Sequence, residues 1–498
     1  MSATTHFLTP LNLAVMGIYL LGLLVIGLLL ARRQQSFEDF SLGGRRLPWL
    51  LVAMSMYASV TSAMTFLGLP GLGYQGNISL IIVSIMSPLI APVLIFGFYP
   101  LYRRLGLTTS YEYIAGRFGP HARIAVATLF LLARLGWLGT VIYAPALALS
   151  TVTGLPLSVT ILLMGLVATG YTVLGGLTAV VWTDAIQFLI MIVGAVWVAV
   201  SLLNNVPGGF DAIRAQATVG GGLAPGDWAF EPTVMNALAV ACAYYFLLMQ
   251  DYGVDQVTVQ RLLAVKTNRG VTRAILFNAT TDFLIIGLLL FIGLGLAAFA
   301  AATPNAIPAD LAPERVLPWF IVTRLPPGLS GLVITAVIAA AMSSMDSGIN
   351  SMATVVLHDL VRPNQPRWDS ARQGVRQARA LTLLLGLLST GLAFGVARIG
   401  GIIKAFYTFM GYFSAPVLAL FLLGLLTRRA RFGGWLIGAA CALFISLHLQ
   451  RTGQLHEIYL FPLGVLLTGS IGYLASLLMP QRRPPTHPLS AEHDSDHR

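Results

Sequence analysis

Charge is scarce in this chain. Of its 498 residues 10% are charged and 56% are hydrophobic, whereas a soluble domain carries about 25% charged residues. That leaves too little polar surface to keep a globule of this size in water, and lipid is the solvent that fits. Lysine is rarer still, with Lys266 and Lys404 alone. Neither follows a G-x-x-x-x-G-K-[ST] loop, which speaks against ATP-driven transport by this chain. The glycine run Gly220–Gly222 has no strand–helix context and is no nucleotide fingerprint. Cysteine is limited to Cys242 and Cys441, both inside apolar runs. They build neither a disulfide framework nor a zinc site and read as packing residues. The eight histidines form no HExxH cluster, and no nucleophile–base pair announces an enzyme. The net charge of +11 is scattered among short gaps and builds no basic stripe, which argues against a nucleic-acid partner.

What is present is apolar sequence in long runs. Stretches of about 20 apolar residues, the length that crosses a bilayer as a helix, occur thirteen times: near 10–30, 49–70, 78–101, 124–149, 155–174, 179–203, 234–254, 271–300, 328–357, 380–397, 402–426, 433–449 and 458–479. The first exceeds the roughly 7–15-residue core of a signal peptide, and Arg32 and Arg33 follow it instead of a cleavage site, so it reads as a retained helix. Alternate gaps hold most of the 30 basic residues. These are Arg32, Arg33, Arg45 and Arg46; Arg103, Arg104, Arg117 and Arg123; Arg261, Lys266, Arg269 and Arg273; Arg362, Arg367, Arg372, Arg376 and Arg379; Arg428, Arg429 and Arg431; Arg482, Arg483 and Arg498. The intervening gaps hold only Arg214, Arg315, Arg324, Arg398 and Arg451. Positive charge stays inside, so the expectation is an N-terminus outside, a C-terminus in the cytoplasm and an odd number of spans in the cell membrane. Residues 1–480 read as one transmembrane domain and 481–498 as a polar, disordered tail.

Polar residues inside the spans carry the chemistry. In the ninth, Ser343, Ser344, Asp346 and Ser347 follow a run of alanines, and Ser343, Asp346 and Ser347 share one helical face. Hydroxyl and carboxylate oxygens are hard ligands suited to Na⁺. The same serines also suit a close helix–helix interface, but an intramembrane carboxylate is costly and points to function. The second span is interrupted by Ala58, Thr61, Ser62 and Thr65 and then by Gly68, Pro70 and Gly71; the seventh by Gln250, Asp251, Gly253, Asp255 and Gln256. Broken helices at matching places in two halves point to an inverted-repeat transporter whose freed carbonyls bind a cation. Arg134 lies eleven residues beyond Arg123, about 16 Å along a helix; it meets either an anionic substrate or a buried carboxylate. Asp184 reads equally as a cation ligand or as an interfacial charge at a helix start. Asp282 and Lys404 read as structural.

These residues resemble the sodium:solute symporter family. The resemblance runs from the first span to the last, on Gly175-Gly176 with Trp182-Thr183-Asp184 and Gln187, on Gly253-Val254-Asp255-Gln256 with Gln260-Arg261, on Leu325-Pro326-Pro327-Gly328 with Gly331, and on Ala339-Ala340-Ala341-Met342-Ser343-Ser344 with Ser347 and Asn350. It implies an all-α integral membrane protein of the leucine-transporter type. About 13 transmembrane helices would form a five-plus-five inverted-repeat core over about 49–426, with one extra helix before it and two after. It implies a main sodium site at Ala58, Thr61, Ala340, Ser343 and Ser344, and a second at Asp184, Ser343, Asp346 and Ser347. Family members commonly carry serine where Asp346 stands. Substrate positions fall at Val60, Ser62, Thr65, Ser84, Trp137, Asp251 and Tyr407, with Arg134 beside them. Sialic-acid transporters of the family place an arginine where Trp137 stands, one turn from Arg134, which argues against sialic acid here. The Gly253–Gln256 segment looks closer to the iodide, monocarboxylate and multivitamin branch and favours a small organic anion.

The function implied is sodium-coupled import of a small polar or anionic organic solute by alternating access, with no catalytic residue, no ATP and no nucleic acid. Two other readings use the same scaffold: a proton-coupled or channel-like carrier, and a membrane sensor built on a transporter-like core.

Overall fold

The computed structural model describes residues 9–31, 36–219, 228–308, 311–361, 371–396 and 402–480. Among these the chain is helical, and the only β pairing is a single bridge between Leu47 and Val265. Lipid dictates this, because a spanning segment must satisfy its own backbone groups. In chain order the principal helices are α1 (Pro10–Ala31), the bent pair α2 (Trp49–Val60) and α3 (Ala63–Tyr74), α4 (Ile81–Val93) and α5 (Pro120–Thr153). Then come α6 (Leu157–Asn205), a second bent pair α7 (Ala237–Gly253) and α8 (Gln256–Ala264), α9 (Asn268–Ala302), α10 (Leu329–Val355) and α11 (Ala371–Val396). The series closes with α12 (Ile402–Phe409), α13 (Ala415–Leu426), α14 (Phe432–Arg451) and α15 (Leu460–Leu477).

Ten helices are long and apolar enough to cross a membrane among the described residues, and twelve when each bent pair is one span. The thirteen apolar stretches of the sequence all fall on helix, but the fifth forms a shorter apolar helix, Leu157–Val173. It runs into the next helix through Gly176, whose φ of 54° and ψ of −173° only glycine adopts readily. The gap between the sixth and seventh stretches includes the helix Gly209–Val219. The tail 481–498 and the glycine run at 220–222 lie outside the described residues, as do eight of the arginines used for orientation (at 32, 33, 362, 367, 398, 482, 483 and 498). Two more of those arginines, Arg123 and Arg261, are buried in ion pairs, so they do not report on the membrane surface as their place in the gaps suggested.

Helix α10 is the hub. In its most apolar stretch 94% of residues are buried, against 17% for α1. Helices α1, α2, α5, α6 and α11 all pack on it. Its Ala336, Ala339, Ala340 and Ala341 let those backbones come close, while α1 turns Ile18 and Leu29 outward to lipid. A second close crossing joins α3 to α9, where Gly73 and Gly293 meet. A Cβ added at Gly293 would lie 2.7 Å from the Cα of Gly73 and also against the Pro70 carbonyl. The crossing therefore holds one side of the bent α2–α3 pair in place. Gly293→Val should force these helices apart at a cost of about 1–3 kcal/mol, read as a lower melting temperature of the purified protein in detergent.

Candidate functional site

The site grows from the two helix breaks. Helices α2 and α3 meet at 62°. Thr61 leaves helical geometry at φ −82°, ψ 95°, and Ser62 is extended at φ −84°, ψ 170°. Carbonyls at the end of α2 therefore lose their intrahelical partners. Helix α10 answers them from the side. Ser343 Oγ donates to the carbonyl of Ala58 at 2.7 Å, and Ser344 Oγ to that of Ser59 at 2.9 Å. Both hydroxyls also reach the Ala340 carbonyl, at 3.1 and 3.3 Å. Four of the five residues expected at the main cation site (Ala58, Ala340, Ser343 and Ser344) thus bring their oxygens together, and buried Thr61 sits at the break itself. Among the described residues no group of three His, Cys, Asp or Glu side chains gathers to hold a metal. What converges here is a neutral set of carbonyl and hydroxyl oxygens, a donor type for a hard monovalent cation.

One turn further along α10 lies a charged cluster. Asp184, from α6, is fully buried, not interfacial. Its Oδ2 accepts from Ser55 Oγ at 2.6 Å and Ser347 Oγ at 3.4 Å, and pairs with Arg261 Nη2 at 3.0 Å. Its Oδ1 is buried without a hydrogen-bond partner among the described residues. Arg261 also donates through Nε to Ser55 Oγ at 2.8 Å, through Nη1 to the Val257 carbonyl at 2.7 Å and through Nη2 to Ser347 Oγ. Asp346 accepts from Tyr171 at 2.8 Å and Ser347 at 3.2 Å. The expected second-site residues Asp184, Asp346 and Ser347 are therefore together, with Ser343 one turn away. The residue missed is Arg261, which stands among them.

The second break, 47° between α7 and α8, is set by Asp255, whose side chain caps α8 at Val257 N, 2.9 Å. Asp255 Oδ2 also takes Arg134, at 2.6 Å to Nη2 and 3.0 Å to Nε. Of the two partners open to Arg134, a buried carboxylate is in place. Its guanidinium lies 4.5 Å from the Trp137 ring, and Asp251 is 3.8 Å away. Tyr244 and Tyr407 meet at 3.3 Å between their hydroxyls. Trp137, Asp251 and Arg134 thus group around the second break, while Tyr407 meets α7 about two turns before Asp251. Ser62 and Thr65 lie at the first, and Ser84 turns its hydroxyl back to the Ile81 carbonyl, 2.5 Å away. Lys404, counted inside a span, is half-exposed and 3.5 Å from Glu457. Asp282 is buried beside Ser87, at 2.5 Å.

Beneath the site, Arg123 binds Asp359 at 2.6 Å and Glu112 meets His358 at 3.0 Å. Burial alone would raise the Glu112 carboxyl, but the His358 imidazole and the Thr109 and Thr108 amides reverse this and hold it at about 2.

The model of the sodium:solute symporter family matches residues 40–441. The chain belongs to the sodium:solute symporter family. It is a sodium-coupled secondary transporter that works by alternating access, and not an enzyme. The sodium/sialic acid symporter NanT of Aliivibrio fischeri is 28% identical over 94% of this chain and 93% of its own. The sodium-coupled monocarboxylate transporter 2 of Bos taurus is 32% identical over 83% of this chain and 68% of its own. A solved Na⁺-coupled sialic acid symporter in its substrate-bound outward-open state superposes with a TM-score of 0.89 at 26% identity, covering 96% of this chain and 99% of that one. Mhp1, a nucleobase-cation-symport-1 family transporter, shares the fold at a TM-score of 0.57 and 16% identity.

The apolar stretch 234–254 stops short of Arg261, which lies beyond the break on α8. All nine residues of α8 are buried, and apolar Val257, Val259, Leu262 and Leu263 around the arginine were the available signal that the span continues past its break. Removing one partner of a buried ion pair costs about 3–5 kcal/mol, whereas removing both costs far less. Arg261→Met should therefore lower the melting temperature strongly, and Arg261→Met with Asp184→Asn should recover much of the loss.

Proposed function

We propose that sodium binds where the break of α2–α3 faces α10, on the carbonyls of Ala58 and Ala340 and the hydroxyls of Thr61, Ser343 and Ser344. The observation that carries this is the pair of serine hydroxyls already directed at the carbonyls of the broken helix. A cation there ties α10 to the broken helix and favours the outward-open state, which accepts solute; a ligand shifts a conformational equilibrium only by binding one state better. The potential adds about 2.3 kcal/mol per charge per 100 mV. A second cation is assigned to Asp184, Asp346, Ser347 and Ser343. There Arg261 offsets one carboxylate and the other has no arginine or lysine in ion-pair reach among the described residues, while Asp184 Oδ1 is unpartnered.

The solute sits between the two breaks, on Ser62, Thr65, Ser84, Trp137, Asp251 and Tyr407, with Arg134 setting the local charge. It is a small polar or anionic organic solute that bears a carboxylate, in keeping with the sialic acid and monocarboxylate relatives. Residues 1–480 form one transporter domain, core about 49–426, in the cell membrane with the N-terminus outside and the C-terminus inside. Protease access to a C-terminal tag in right-side-out vesicles should be absent until the vesicles are opened.

In proteoliposomes, uptake should require external Na⁺, and replacing it with choline should abolish accumulation. Ser343→Ala should raise the Na⁺ concentration for half-maximal uptake about tenfold, equivalent to ~1.4 kcal/mol, and Asp184→Ala should raise it as well. Equal accumulation in choline, or unchanged sodium dependence in both variants, would sink the site. Uptake driven by a pH gradient without sodium would instead favour proton coupling.

A further inference from the structure

The charges around the second break do not balance. Arg134, Asp255 and Asp251 form one group, with one positive and two negative side chains. Asp255 engages the guanidinium edge through Nε and Nη2, and the Trp137 ring covers a face of it. Asp251 stands off at 3.8 Å. The other deep cations are committed elsewhere: Arg123 to Asp359, Arg261 to Asp184. Half-exposed Lys404 pairs with Glu457.

Asp251 also differs from its neighbours in access. Its side chain keeps 22% of its surface exposed, against 7% for Arg134 and 2% for Asp255. The carboxylate is thus the open charge of the cluster and the arginine the closed one. An approaching monoanion meets a second carboxyl group and a guanidinium already engaged. A cationic nitrogen meets the surplus carboxylate, with Tyr244 about two turns before it on α7 and the Tyr407 hydroxyl 3.3 Å from that of Tyr244. Aromatic rings favour cations further.

We infer that the transported solute is a zwitterion, which presents a cationic nitrogen to Asp251 and carries its carboxylate at the other end. The inference rests on the reading that solute binds between the two breaks, and it deepens that reading: the carboxylate's charge is balanced within the same molecule. The α3 half-helix starts at Ser62 without a side-chain cap, and the positive end of a half-helix suits a carboxylate. Amino acids and betaines have this chemistry; short-chain monocarboxylates lack half of it.

The test uses the full-length protein in detergent and in proteoliposomes. The probes are the twenty proteinogenic amino acids and glycine betaine, each paired with its deaminated acid and its decarboxylated amine. At least one zwitterion should stabilise the protein in Na⁺ and bind tenfold or more tighter than its deaminated acid. Asp251→Asn should cut that zwitterion's affinity at least tenfold and change that of the deaminated acid less than threefold. Asp251→Glu should keep the order of preference, and melting without solute verifies that both variants fold. A deaminated acid that binds as well as or better than every zwitterion overturns the inference. So does an equal loss for both ligand types in Asp251→Asn, or a set in which no zwitterion binds. Zwitterion binding indifferent to Na⁺ would count against sodium coupling and leave the charge assignment standing.

Discussion

A backbone carbonyl set free inside a bilayer has no water to turn to and costs several kcal/mol unless something answers it. Helix α2 frees its carbonyls at Thr61, and the hydroxyls of Ser343 and Ser344 on α10 answer them. Much else follows from that contact. It demands that α10 lie close enough for hydroxyl reach, which its alanines permit. It demands that α10 be buried from all sides, so that no lipid competes. The same oxygens are those proposed to hold the cation, with each hydroxyl turning its proton away to offer a lone pair beside the carbonyls.

Charge inside the membrane follows a related rule: it is placed in pairs that join separate spans. Arg134 on α5 holds Asp255 at the second break, Arg261 on α8 holds Asp184 on α6, and Arg123 on α5 holds Asp359 beyond α10. Each pair crosses between elements far apart in the chain, so each fixes how those elements sit together. Burying a pair gives little net stability, yet breaking one is costly. Among the described residues Asp251, Asp282 and Asp346 lack such a close pair, and Asp251 and Asp346 are where a solute and a cation are proposed to bind.

Some of this was legible in order. The apolar runs marked the helices because a bilayer imposes one length and one polarity, and the interruptions at Thr61 and near Gly253 marked the breaks. The serine face of α10 could be drawn from helical spacing alone. Arg261 could not, because its role depends on α8 continuing inward after a bend, and a bend is invisible to a count of apolar residues. The two readings of Arg134 were equally consistent with order; its pairing with Asp255, 121 residues away, is set by the fold.

By itself the sequence determined the solvent, the helices, the two interruptions and the oxygen-rich face of α10, since each is written in local composition and periodicity. Tertiary structure alone decided which buried charges are spent and which are left over. Pairing depends on distances between helices remote in the chain, and no local pattern carries those distances.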